Sequence, residues 1–343
     1  MRSSLRRSAL IPVAALVLAG CGADGDGTEP TLTFTNSYAE DHPHTRCGID
    51  RVAEEVEEAD AGFAIETFPN SQLAGNTETF PALMDGDVDL DVQGSAALGS
   101  AYEPIGVFDA AYAFSGPDHL FSFFDSSETD EVEEGFEQET GAKVLDLWYF
   151  GDRHITANSP VLSPGDLEGL RMRFPDSPIY LDNAEALGAS PTAVAFEEVY
   201  LALQQGTADG QENPITTVDG DNYAEVQSHI SLTSHQIGSQ MVVVSAETWE
   251  QLDGEQQQIL QEAVSDVREE NRACIEESER EILAGWEADD AIEVVDDVDT
   301  DAFREQARAY FLEHLEGEGL DLYEAALDAE ETATHPTPDR EEP

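Results

Sequence analysis

Short runs with a period of two alternate along the chain with longer stretches at helical spacing. Thr31, Leu32, Thr33, Phe34 and Thr35 alternate polar and apolar and predict a strand. Ile49, Val52, Ala53 and Val56 make a helical stripe, and residues 63–68 a second strand. A loop at 70–73, a short helix through Phe80 to Met84 and a strand at 88–92 follow. Residues 145–150 form an aromatic-rich strand that ends in Gly151-Asp152-Arg153, where the composition changes. A strand is expected at 170–174, ended by Pro175, and a short helix over 179–187. Phe196, Val199, Tyr200 and Leu203 stand at i, i+3, i+4 and i+7, the spacing of a buried helical stripe, and Gly206 stops it. The polar run Asp209-Gly210-Gln211-Glu212-Asn213-Pro214 falls on the next strand or turn, where short polar side chains can face a cleft. Residues 239–245 predict another strand, and a long helix runs from Thr248 to about Trp286 with Ile259, Leu260, Ala263, Val267 and Ile275 on one side.

Strands alternating with helices define an α/β fold with a largely parallel sheet. In such sheets the ligand crevice lies beyond the carboxyl ends of the strands, so the loops at 36–44, 71–77 and 93–95 are expected to converge there. Residues 329–343 are acidic, proline-rich and aperiodic, and predict a disordered tail.

The N-terminus has a different character. Arg2, Arg6 and Arg7 precede a mostly apolar run from Ala9 to Ala19, too short to span a bilayer, so residues 1–20 predict a secretory signal. Leu18-Ala19-Gly20-Cys21 resembles a lipobox, which makes Cys21 the expected lipidated N-terminus; Arg6-Arg7 leaves Sec and twin-arginine export both open. The Gly/Asp-rich residues 22–30 predict a flexible tether. The expected location is therefore extracytoplasmic, anchored to the membrane by lipid alone.

Charge changes the picture further. The chain carries 15 Lys plus Arg against 74 Asp plus Glu, a formal net charge of −59, which excludes nucleic acid and anionic membrane surfaces as partners. With 40% hydrophobic residues and acids spread along the whole length, it is a globular chain with a solvated acidic surface, the pattern of adaptation to high salt. Between Val52 and Val267 the only basic residues are Lys143, Arg153, Arg171 and Arg173. An arginine kept in an apolar strand of so acidic a chain is expected to face a carboxylate, of the protein or of a ligand, because its planar fork of donors fits one. Cys47 and Cys274 are left after Cys21; in an oxidising compartment a disulfide and two free buried thiols are both open. The eight histidines and three cysteines show no metal-ligand spacing, so no metal is expected. Neither G-x-S-x-G nor H-E-x-x-H occurs, which argues against the common secreted hydrolases.

The ordered motifs resemble the DctP-type solute receptors of TRAP transporters. They are Gly169-Leu170-Arg171-Met172-Arg173-Phe174-Pro175, Leu187 to Thr192, Ala195 to Gly206 and Asp209 to Pro214, supported by Tyr223 to Gln227 and Leu232 to His235. The resemblance spans roughly residues 31–327. It implies a two-lobed, type II periplasmic-binding-protein-like α/β fold, each lobe a mixed sheet flanked by helices, with a long helix along both. Residues 31–150 with 239–278 would form lobe I, and 151–238 with 279–328 lobe II. It implies a non-enzymatic receptor without a cofactor, expected to be monomeric, that binds an organic acid such as a dicarboxylate between the lobes and delivers it to a sodium-coupled TRAP permease. A receptor for an ATP-driven importer or a sensor kinase is the alternative within the same fold. Carried over by position, Arg173 is the main carboxylate ligand, Arg153 and Asn213 add donors, and Phe196 forms an aromatic wall. Asn76 and Gln93 contribute from lobe I, and Trp148 is either a cleft wall or packing. Gly94 stands where some sialic-acid receptors carry a glutamate, and Arg171, at a position usually occupied by lysine, reads as structural.

Overall fold

A computed structural model of the chain describes residues 29–334. The signal, Cys21 and most of the tether lie outside the described residues, as do residues 335–343. Nine strands form one sheet: β1 (Thr31–Thr35), β2 (Ala64–Phe68), β3 (Leu90–Gln93), β4 (Lys143–Ala157), β5 (Arg171–Phe174), β6 (Ser190–Ala193), β7 (Gly210–Pro214), β8 (His229–Val244) and β9 (Glu293–Val295). Their order is β2-β1-β3-β8-β4-β7-β5-β6, with β9 paired to β8. The pairs β1/β2, β1/β3, β5/β6, β5/β7 and β8/β9 are parallel, whereas β3/β8, β4/β8 and β4/β7 are antiparallel.

The long strands β4 and β8 join the two halves. Val242 and Val243 of β8 lie between β3 and the first part of β4, and Ile155 and Thr156 of β4 lie between β8 and β7. The sequence marked shorter strands at 145–150 and 239–245. Its pattern breaks at Gly151 and Gly238, where the two backbones pack too closely for side chains: a Cβ on Gly238 would lie 2.7 Å from the Gly151 carbonyl oxygen. The two half-sheets are thus continuous through this ribbon.

One apolar cluster fills the first half, with Phe34, Val52, Trp148 and Leu260, and another fills the second, with Val199, Ile215, Tyr223 and Trp286. The largest runs from Phe80 through Phe108 and Phe174 to Phe311, so it crosses the expected lobe limit at residue 150. Helix Pro178–Leu187 ties into it, with Asn183 accepting from the Ala111 N–H (2.7 Å) and donating to the Asp109 carbonyl (2.8 Å).

The long helix is Gly254–Asp289, 36 residues or about 54 Å at 1.5 Å per residue. Its buried Leu260 and Val264, then Ile275, then Trp286 enter the three clusters in turn, so it lies along both halves. It starts later than the apolar pattern predicts. A separate helix, Ala246–Gln251, precedes it, and Asp253 accepts from the N–H groups of Glu255 and Gln256 (3.0 Å each) and restarts the helix as an N-cap. Cys47 and Cys274 are joined as a disulfide that ties the first helical segment to this helix across 227 residues.

The expected disorder is corrected for residues 329–334 only, the part of that segment among the described residues. Helix Gly317–Thr334 runs through the start of that segment, because Leu322, Tyr323 and Ala326 bury one face in the largest cluster and Glu330 pairs with Arg308 at 2.5 Å. Among the described residues, no helix is long and apolar enough to cross a membrane.

Candidate functional site

The ends of β3 and β7, the middles of β4 and β8 and the loops after β1, β5 and β6 meet around one cavity of about 50 Å³. Strand alternation sets its most important side chain. Met172 and Phe174 of β5 point into the apolar core, so Arg173 points the other way. It is buried, at 3% exposure, and its Nε donates to the Val194 carbonyl at 3.0 Å. Its Nη1 and Nη2 find no acceptor, and no ion pair to Arg173 occurs among the described residues. Burial lowers its pKa below the ordinary arginine value. Burial pushes the Asp221 carboxyl up to about 6; that group lies near enough to Arg173 for the charge to lower it, but no hydrogen bond or ion pair joins the two side chains among the described residues.

The other two arginines are already matched. Arg153 on β4 holds Glu212 of β7 through Nε (2.5 Å) and Nη2 (2.8 Å), and its Nη2 also reaches the Asn213 Oδ1 at 3.0 Å. Burial is the largest influence on the Glu212 carboxyl and drives it up, but the Arg153 charge and the contacts from the His235 and Arg153 side chains together hold the group below its usual range. Arg171 forks onto Asp209 at 2.9 and 2.6 Å on the surface, the structural role expected of it. Asn213 donates to Gln211 Oε1 at 2.6 Å and keeps its second amide hydrogen for the cavity.

Phe196 lines the cavity and meets Tyr38 edge-on, with ring centroids 6.2 Å apart. The helical stripe read from residue 196 therefore splits. Phe196 lies in a 3₁₀ turn, Phe196–Glu198, and the following helix, Val199–Gln204, buries Val199, Ala202 and Leu203 while Tyr200 is half-buried. Tyr38, Phe150 and Tyr180 complete the aromatic lining, with the Arg153 guanidinium 5.8 Å from the Phe150 ring and 5.2 Å from that of Tyr180. From the first half, Asn76 donates to Ser37 Oγ at 3.1 Å, and Gln93 donates to the Asn76 carbonyl at 2.9 Å and to Asp91 at 3.2 Å.

Trp148 is corrected as a cleft residue. It is fully buried, its indole N–H donates to the Val264 carbonyl of the long helix at 3.2 Å, and its ring stacks on His44 at 6.0 Å. It supports the aromatic wall from behind: His44 in turn packs on Phe150 and Tyr38. His42 and His44 are held neutral by burial, His42 at about 3. Among the described residues, no His, Cys, Asp and Glu cluster could hold a metal ion.

Sequence reasoning missed Tyr38, Phe150, Tyr180, Glu212 and Gln240. Tyr38 stood in a loop assigned to the crevice and Phe150 in the aromatic strand, and Glu212 sat inside the polar run. Tyr180 and Gln240 carried no local signal.

A buried guanidinium free of an ion pair, flanked by amides and aromatic rings where two half-sheets meet, fits a two-lobed solute-binding protein. The chain belongs to the DctP family of bacterial extracellular solute-binding proteins, family 7, the receptors of TRAP transporters; that family's model matches residues 35–318. It is 32% identical to the sialic acid-binding periplasmic protein SiaP of Vibrio cholerae over 69% of this chain and 74% of that one. Among solved structures, a TRAP periplasmic solute-binding protein of Roseobacter denitrificans with bound L-galactonate is 27% identical, with a TM-score of 0.81, covering 87% of this chain and 99% of that one. One of Shewanella oneidensis with bound succinate is 25% identical, with a TM-score of 0.82, covering 88% and 99%.

Proposed function

We propose that this receptor closes its two lobes on an organic acid, takes the carboxylate on the Nη1 and Nη2 of Arg173, and delivers the acid to a sodium-coupled TRAP permease. One observation carries the reading: in a chain with 74 acids, Arg173 is buried and forms no ion pair among the described residues. A buried cation without a partner is costly, and a ligand carboxylate offsets that cost through charge-assisted hydrogen bonds. Arg153 with Glu212 holds the floor of the site, Asn213 adds a donor, and Asn76, Gln93 and Phe196 close the walls. The lobes we assign are residues 31–150 with 239–278 and 151–238 with 279–328, moving about the close contact of Gly151 and Gly238. The mature protein is a monomer tethered through a lipid on Cys21, and the acidic surface suits it to high salt. The binding of galactonate and of succinate by the similar proteins supports an organic acid as cargo.

The test is a thermal-shift screen of the purified protein in molar salt against organic acids, followed by calorimetry. A ligand that binds only the folded state raises Tm. Arg173→Lys keeps the charge and loses the fork, and should weaken binding at least about tenfold, roughly 1.4 kcal/mol. Unchanged affinity would remove Arg173 from the carboxylate site.

A further inference from the structure

The cavity wall that faces the arginines carries no cation. Its polar side chains are the amides of Asn76, Gln93 and Gln240 and the phenol of Tyr38, none of them a cation. Gln93 is spent within the protein: its nitrogen donates to Asn76 and Asp91, and its oxygen accepts from the Gly94 N–H (3.2 Å) and from Asn76 (3.4 Å). Gln240 is not. It is 5% exposed, and its Oε1 has no hydrogen-bond partner. The bare backbone of Gly94 makes room for its amide, since a Cβ there would lie 3.1 Å from Gln240 Nε2.

The cations lining the cavity are Arg153 and Arg173, and Glu212 neutralises the first. One positive charge is left, on one wall. Behind the amide wall lies Asp91, a buried acid. A second carboxylate pressed against that wall would lose its water and gain no counter-charge. A hydroxyl group both donates and accepts, so it satisfies the Gln240 amide in either orientation.

Resting on the reading of this cleft as a carboxylate receptor, we infer that it selects hydroxylated monocarboxylates over dicarboxylates. The carboxylate sits on Arg173, and a hydroxyl of the same molecule bonds to the side-chain amide of Gln240. Gln240 is the residue that sets this specificity.

Calorimetry of the purified protein in molar salt, with acids matched for length, tests this. The four-carbon set is erythronate, succinate and butyrate; the six-carbon set is galactonate, adipate and hexanoate. In at least one set the hydroxy acid should bind tenfold or more tighter than both the diacid and the plain monoacid. Gln240→Met, nearly the same shape without the amide, should lose at least tenfold for the hydroxy acid and so close its gap over the plain monoacid. The ranking of ligands by the unaltered protein needs no variant to fold. A diacid that binds as tightly as its hydroxy acid, or a plain monoacid that does, overturns the inference and leaves the carboxylate reading standing. No binding of any of the six acids, by a protein that melts cooperatively, overturns that reading as well.

Discussion

Three arginines close together in sequence have three different environments. Arg171 is on the surface with Asp209, Arg153 is buried with Glu212, and Arg173 is buried alone. The scarcity of basic residues flagged all three, but the partner of Arg153 lies 59 residues away and was not legible. A buried acid makes the complementary case. Glu279 is pushed up to about 8 by burial, then by Asp152 and Glu276, and its Oε1 has no partner. It sits against Gly151, at φ +107°, where a Cβ would lie 2.5 Å from that oxygen. Glu279 binds its proton more tightly folded than unfolded, so the folded state is favoured at low pH. That advantage is lost as pH rises from the ordinary glutamate value, 4.5, to about 8. Melting temperature should therefore fall across this window. Glu279→Gln should flatten the slope and raise Tm at pH 8 by several degrees, with Asp91 (about 8) and Glu133 (about 7) leaving a residual slope. An unchanged profile would mean that Glu279 is charged in the folded protein.

At the scale of elements, helix Asn76–Met84 shows how the two walls are held together. Its first N–H, on Asn76, donates at 2.8 Å to Glu197 Oε1, which also accepts from Ser71 Oγ at 3.3 Å. Glu197 belongs to the turn that carries Phe196, on the other side of the cavity. A carboxylate at a helix N-terminus is favourable, and this one is supplied across the cleft, so the contact exists only when the walls are together. Glu197→Ala should weaken ligand binding about three- to tenfold, roughly 0.7–1.4 kcal/mol, mainly through faster release. Calorimetry with stopped-flow dissociation measures both, and unchanged release would show that the contact does not latch the cleft. Most elements were legible: β1, β2, β5 and the helix before β6 fall within a residue or two of their apolar patterns. The N-cap at Asp253 and the helix through residue 334 were not, because one depends on a local side-chain bond inside an apolar period and the other on a face completed by a distant cluster.

Over the whole molecule, a formal net charge of −59 opposes compaction, and the shared core and the disulfide hold the halves against it. The Debye length falls from about 10 Å at 0.1 M salt to about 3 Å at 1 M, so most of this repulsion disappears in molar salt. Tm should rise between 0.1 and 2 M NaCl by several degrees, on the order of 2–4 °C per kcal/mol of stabilisation. A flat or falling Tm would separate the acidic surface from salt adaptation.

The amino-acid sequence alone determined the alternation of strands and helices, the type of fold, the extracytoplasmic family and the candidates Arg173, Arg153, Asn213, Phe196, Asn76 and Gln93. The elements follow from local periodicity and the arginines from the rarity of positive charge, whereas Asn213, Phe196, Asn76 and Gln93 follow from the family resemblance; all are read along the chain. The tertiary structure decided which arginine is left without a carboxylate, that Trp148 supports the wall from behind, and that Tyr38, Tyr180 and Gln240 reach the same cavity. These depend on the register of β4 against β7 and β8, which pairs residues far apart in the chain, and a period-two pattern fixes the face of a strand without naming its partner.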